Sequence, residues 1–136
     1  MRSLNPQVRE LLEKRITELA HAQAQSYGVR AHVEYQRGYP VLVNHLRETD
    51  FARDVAEELV GAQRVTRQSK ALTGSEDFAF LLEEVPGCYL LIGNGAGESG
   101  GHGACMVHNP GYDFNDDNVA IGSAYWSLLV ERFLKD

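Results

Sequence analysis

Five consecutive apolar residues, Cys88-Tyr89-Leu90-Leu91-Ile92, stand between the turn pair Pro86-Gly87 and Gly93, and no other feature restricts the fold of this chain as much. A run this short and this uniformly apolar is the pattern of a strand covered on both faces, so it is expected in the interior of a sheet. A second strand is expected where Val29, Ala31, Val33 and Tyr35 alternate with Arg30, His32, Glu34 and Gln36, the period of two of a strand with one wet face.

Helical periods surround these two stretches. Asn5-Pro6 starts a helix, because Asn caps orphan N–H groups and Pro is tolerated at the first helical position. Val8, Leu12, Ile16 and Leu19 then mark one face, and Tyr27-Gly28 ends it. Phe51, Val55 and Leu59 recur on a second helix that Gly61 terminates, with a short strand expected near residues 64–66. Ser75 is expected to cap a third helix with Glu76 and Asp77 in its first turn. The last helix begins near Asp116 or Asp117 and places Val119, Trp126, Val130 and Phe133 on one face; it is apolar on other sides too, so it is expected to be well buried.

This order of elements is α/β, with a boundary between two structural units expected near residues 37–45, around Gly38-Tyr39-Pro40. With a strand stub at Met1-Arg2-Ser3 counted in, two strand signals per unit leave sheet edges open and apolar faces uncovered, so the chain is expected to be part of something larger.

Composition narrows the function classes. Apolar stretches of a handful of residues are far short of the roughly 20 that span a bilayer, so no membrane is expected. Thirteen Lys and Arg against nineteen Asp and Glu give a net charge of −6 with no basic run, which argues against nucleic acid as a partner. Cys88 and Cys105 have neither disulfide-framework nor Cys-x-x-Cys spacing, and the N-terminus lacks the apolar core of a secretory signal; free thiols in the cytoplasm are expected.

Three stretches could carry chemistry. Gly93-Asn94-Gly95-Ala96-Gly97 follows the apolar run as a dinucleotide loop would, but Glu98, Ser99 and further glycines follow in place of a helix, so nucleotide binding is the weakest reading. His108-Asn109-Pro110-Gly111-Tyr112-Asp113-Phe114-Asn115-Asp116 sets a histidine before a turn, either as a metal ligand or as a hydrogen-bonded loop residue; Cys105 three residues earlier cannot complete a tetrahedral site with it. Gly74-Ser75-Glu76-Asp77-Phe78 puts a hydroxyl and two acids at a helix start, either for capping or beside N–H groups that receive an anionic substrate. Ser75 has no Gly-x-Ser-x-Gly elbow, so a serine hydrolase is not supported.

Taken together, Gly74-Ser75-Glu76-Asp77-Phe78-Ala79, Pro86-Gly87-Cys88-Tyr89 with Ile92-Gly93-Asn94-Gly95, and residues 108–116 resemble the hippurate hydrolase and N-acyl-amino-acid amidohydrolase family, of the dimetal aminoacylase and glutamate carboxypeptidase group. The resemblance extends over nearly the whole chain, because Tyr39-Pro40-Val41-Leu42-Val43-Asn44 and the elements before it are similar to the second half of that family's lid. It implies half of a ferredoxin-like lid, or dimerisation, domain at residues 1–43, followed by the C-terminal part of an α/β metallohydrolase catalytic domain at residues 44–136.

Members of the family use two divalent metals, zinc, manganese, cobalt or nickel, to activate a water that attacks an amide carbonyl, with a glutamate as general base. Residue by residue, the resemblance implies that His108 is a metal ligand, that Gly74, Ser75 and Glu76 line the substrate pocket, and that Arg2 reaches into a partner subunit's site to bind substrate. A homo-oligomer and an N-acyl amino acid substrate follow for the parent enzyme. The family's upstream metal motif, general base and second histidine ligand have no counterpart in these residues, so no catalytic residue is assigned here. The isolated chain is expected to be inactive and to bind no metal tightly. The competing reading is a non-catalytic stand-alone domain that uses the strand edge at residues 29–35 to oligomerise or to bind a protein partner.

Overall fold

The computed structural model describes residues 3–95, 97 and 101–135. Among them the regular elements are α1 (Pro6–Ser26), α2 (Leu46–Val60), α3 (Phe78–Glu84) and α4 (Asp117–Phe133), with a single turn of 3-10 helix at Ala62–Arg64 in place of the short strand expected there. The chain divides into two compact units, Met1–Asn44 with Lys70–Pro86, and His45–Ser69 with Gly87–Asp136. None of the described helices is long and apolar enough to cross a membrane.

In the first unit, α1 begins as the Asn5-Pro6 pair dictates. The Asn5 side-chain oxygen accepts the Val8 N–H at 3.0 Å, and Pro6 occupies the position where a missing N–H costs nothing. The helix ends in a Schellman arrangement, with the Gly28 N–H donating to the Gln25 carbonyl and the Val29 N–H to the Ala24 carbonyl, each at 3.0 Å. Gly28 has φ +70°, a conformation that favours glycine. None of the α1 residues is buried, and Leu19 is 68% exposed.

The following segment is held to α1 by two arginines. Arg9 donates to the Gly38 and Tyr39 carbonyls at 2.7 Å each, and the Arg37 guanidinium meets the Glu13 carboxylate at 2.6 Å, which raises the Arg37 pKa. Ala31, Val33 and Tyr35 are half-buried while His32, Glu34 and Gln36 are exposed, so the alternation survives in the burial pattern of residues 31–36, but Val29, expected on the same face, is 60% exposed. The strand does not: residues 29–35 have no ladder partner among the described residues. A strand needs a neighbour that supplies N–H and C=O groups along its length, and local alternation cannot provide one.

The third helix starts at Phe78, later than expected, which puts Ser75 out of reach of its second and third N–H groups. Ser75 is therefore not the cap. The Glu76 carboxylate accepts the Phe78 N–H at 3.3 Å instead, and Asp77 makes no capping bond. Ala79 and Leu82 of α3 are buried, and the Phe80 ring meets Tyr39 edge to face with centroids 5.9 Å apart.

In the second unit α2 packs on α4. Val55 is fully buried and Ala52 nearly so; the Tyr125 hydroxyl donates to the Ala52 carbonyl at 3.1 Å, and burial pushes that phenol up to about 12. Phe51 and Phe133 meet edge to face at 6.4 Å, and Arg132 pairs with Glu58 at 2.7 Å. The Cys88 thiol lies 3.6 Å from the Glu48 carbonyl, and burial raises its pKa, so this thiol is a structural group and not an activated one. The His45 N–H donates to the Gly87 carbonyl at 3.0 Å and the Gly87 N–H to the His45 ring at 3.2 Å, which fixes where the apolar run enters the unit.

Two expectations fail in this unit. Helix α4 starts where predicted, but Val119, Trp126, Val130 and Phe133 are exposed by 60%, 64%, 50% and 70%. The face turned inward carries Asn118, Gly122, Tyr125, Leu129 and Arg132, and a helix apolar all round does not declare in advance which stripe packs. Residues 88–92 form no ladder among the described residues, and Leu91 and Ile92 are 71% and 53% exposed, because nothing described lies alongside to cover both faces of an interior strand.

These faces add up. The chain exposes 11,086 Å², whereas even two separate compact globules of these unit sizes would expose about 8,500 Å².

Candidate functional site

The sequence-predicted site residues fall into both units. Gly74, Ser75 and Glu76 belong to the first and His108 to the second, while Arg2 lies outside the described residues.

In the first unit, Gly74, Ser75 and Glu76 line a cavity of about 230 Å³ together with Arg9, Tyr39 and Leu72. Gly74 and Ser75 are exposed, and a Cβ at Gly74 would meet nothing, so this turn presents open backbone rather than a packed wall. Glu76 is half-buried with one carboxylate oxygen engaged by the Phe78 N–H. Arg9 is committed to the backbone carbonyls of Gly38 and Tyr39, so it shapes this wall instead of offering a free anion-binding fork.

In the second unit His108 is exposed and stands at φ +70°, alone in this region among the described non-glycine residues. It is the third residue of a turn closed by the Asn109 N–H on the Met106 carbonyl at 3.2 Å, a position usually given to glycine. A second turn follows at once, with the Tyr112 N–H on the Asn109 carbonyl at 2.9 Å and the Gly111 N–H on the Asn109 side chain at 2.8 Å. Left-handed backbone at a histidine costs about 1 kcal/mol, and it aims the imidazole where an ordinary turn residue would not.

Sequence reasoning missed the residues that hold this turn in place. The Asn94 carboxamide donates to the Asp113 carbonyl at 2.7 Å and accepts the Asn115 N–H at 2.8 Å, one bond on either side of Phe114. Asn118 is a buried polar residue, and its amide donates to the Gly93 carbonyl at 3.0 Å. The glycines beside them serve close approach. A Cβ at Gly103 would meet the Gly95 carbonyl oxygen at 2.8 Å, and one at Gly95 would run into the His102 backbone, so neither position has room for a side chain. The His102 ring lies 3.5 Å from the Asp113 carboxylate, with both exposed. The Gly-rich signal was visible in the sequence; that two asparagine amides fasten it was not.

Among the described residues no group of three His, Cys, Asp or Glu side chains could hold a metal ion. His108 offers one imidazole with no second and third ligand beside it, so the described residues do not make a metal centre by themselves.

Residues 5–132 match peptidase family M20/M25/M40. The chain belongs to that family. Among curated relatives it is 29% identical to the hippurate hydrolase of Campylobacter jejuni over 135 residues, 99% of this chain and 33% of the relative. It is 33% identical to an uncharacterized hydrolase of Sinorhizobium fredii over 86% of this chain and 28% of that protein. It is 29% identical to an IAA-amino acid hydrolase, ILR1-like 6, of Arabidopsis thaliana over 92% of this chain and 27% of that one. This family member thus spans about a third, or somewhat less, of the length of the curated relatives it matches. No solved structure matches it.

Proposed function

We propose that these residues are the C-terminal part of a metal-dependent amidohydrolase that cleaves N-acyl amino acids of the hippurate type, acting in the cytoplasm as a homo-oligomer. The observation that carries the reading is the match to the hippurate hydrolase of Campylobacter jejuni along 99% of the chain. In this reading residues 1–43 complete a ferredoxin-like lid and residues 44–136 a catalytic domain. His108 supplies one metal ligand, Gly74, Ser75 and Glu76 line the substrate pocket, and Arg2 binds substrate across the subunit interface. The remaining ligands and the general base come from protein outside these residues, and the isolated chain is inactive. The bound metals would supply an activated water and a polarised carbonyl.

The surface supports this. Leu91, Ile92 and Trp126 are 71%, 53% and 64% exposed, apolar side chains that further protein of the same molecule would cover. The same exposed residues favour, as a second reading, a short non-catalytic domain that buries these faces against a protein partner.

The deciding experiment captures the native protein from its source cells with an antibody to this segment and measures its intact mass and its hydrolysis of hippurate. The expected result is a polypeptide about three times heavier than 15.1 kDa, with hydrolysis that a chelator abolishes and His108→Ala eliminates. A 15.1 kDa species without hydrolytic activity would overturn the amidohydrolase reading and leave the partner-binding domain.

A further inference from the structure

We infer that Asn94-Gly95 is a self-modifying site, where the Gly95 backbone nitrogen attacks the Asn94 carboxamide carbon, and that the bonds of this carboxamide to Asp113 and Asn115 hold the rate down. Six asparagines stand in the chain, and Asn94 alone is followed by glycine. Asn5 and Asn109 precede prolines, whose nitrogen carries no hydrogen and cannot close the ring, and the others precede residues whose Cβ hinders the approach. The fold itself calls for the reactive pair. A Cβ at residue 95 would run into the His102 carbonyl, so that position takes glycine. Residue 94 donates to the Asp113 carbonyl at 2.7 Å and accepts the Asn115 N–H at 2.8 Å, a task that suits a carboxamide.

The chemistry needs no co-reactant but water. The Gly95 N–H gives its proton to solvent base, its nitrogen bonds to the Asn94 Cγ, and the side-chain nitrogen takes a proton from solvent and leaves as ammonia, which closes a succinimide. Water then opens that ring at either carbonyl, giving aspartate or, with the main chain rerouted through the side chain, isoaspartate. Gly95 is exposed, so solvent reaches it, while Asn94 is half-buried with its donor and its acceptor both engaged. Attack makes the planar Cγ tetrahedral and carries its oxygen and nitrogen away from Asn115 and Asp113, so both bonds open first. Two bonds to be lost keep the reactive fraction at least about tenfold below that of an unfolded chain. Neither product restores the closed state. An aspartate sets a carboxylate against the Asp113 carbonyl, and an isoaspartate lengthens the main chain beside Gly103, where a Cβ would already meet the Gly95 carbonyl oxygen at 2.8 Å. The site is a one-way record of how long these bonds have stood open.

The test incubates the whole chain at one mildly alkaline pH in native buffer and in urea, and follows each asparagine by peptide mapping and mass spectrometry. In urea Asn94 is expected to convert ahead of every other asparagine, to aspartate and isoaspartate together, and Gly95→Ala to slow it about tenfold there, where the fold plays no part. In native buffer the conversion is expected to run at least about tenfold more slowly than in urea, with amide exchange at Asn115 slowed alongside it. Another asparagine converting first in urea, no conversion there, an undiminished rate in Gly95→Ala, or aspartate without isoaspartate would overturn the site, since direct hydrolysis forms no ring. Equal rates in the two solutions, or slow native conversion with an unprotected Asn115 amide, would overturn control by the Asp113 and Asn115 bonds.

Discussion

Helix α1 and the α2–α4 pair are both helical elements of one chain, yet they are held by different forces. The pair is joined through Val55, fully buried, with Ala52 beside it and a tyrosine hydroxyl on the Ala52 carbonyl. Helix α1 buries none of its residues, and its ties to residues 37–39 are guanidinium contacts at the surface. Apolar burial gives about 25 cal/mol per Å², whereas exposed ion pairs contribute little and weaken in salt. The α2–α4 pair is therefore expected to stay closed longer than helix α1, which opens first.

The largest effect should come from breaking the pair. Val55→Asp places an unpaired carboxylate at a fully buried position and is expected to cost at least about 3 kcal/mol, read as lost protection of α2 and α4 in amide exchange. Leu19→Asp on α1, at 68% exposure, should shift stability by less than about 0.5 kcal/mol; a large loss there would mean that α1 has a covered face after all.

Next comes the Tyr125 hydroxyl, whose removal by Tyr125→Phe is expected to cost about 1 kcal/mol in denaturant melts. The same group makes the pair sensitive to alkali. Its pKa is raised from 10.0 to about 12, so its contribution is intact below pH 10 and is lost as pH climbs towards 12. The phenylalanine variant should lose that part of the alkaline slope.

At His108 the expectation has the opposite sign. His108→Gly relieves the left-handed strain and should stabilise the second unit by about 1 kcal/mol, read as a rise in a chemical melt. The smallest effect is salt: about 1 M NaCl, where the Debye length is near 3 Å, should speed exchange in α1 and leave the pair unaltered.

What the sequence revealed depended on range. The start and end of α1 were legible because Asn5, Pro6 and Gly28 act on backbone groups within a few residues. The half-buried face at Ala31, Val33 and Tyr35 was legible for the same reason, since alternation is a local property. Pairing is not local, and the strands expected at residues 29–35 and 88–92 lack ladders among the described residues. The packed stripe of α4 was hidden because apolar residues surround the helix, and Ser75 yielded to Glu76 because the helix began later than its acids suggested. At the candidate site, His108 and residues 74–76 stood out by motif. Asn94 lay within a motif too, but its bonds and those of Asn118 were not legible, because their partners lie 19 to 25 residues away.

The exposed run at residues 88–92 also bears on how this polypeptide must be made. Tyr89, Leu90, Leu91 and Ile92 are uncharged, rich in sheet-forming side chains and 37% to 71% exposed, the composition of segments that seed cross-β assembly. Covering that run is a first-order event if the cover is part of the same molecule, while self-association rises with concentration. Synthesis rate and chaperone supply, as much as stability, then set how much of it a cell can hold in useful form.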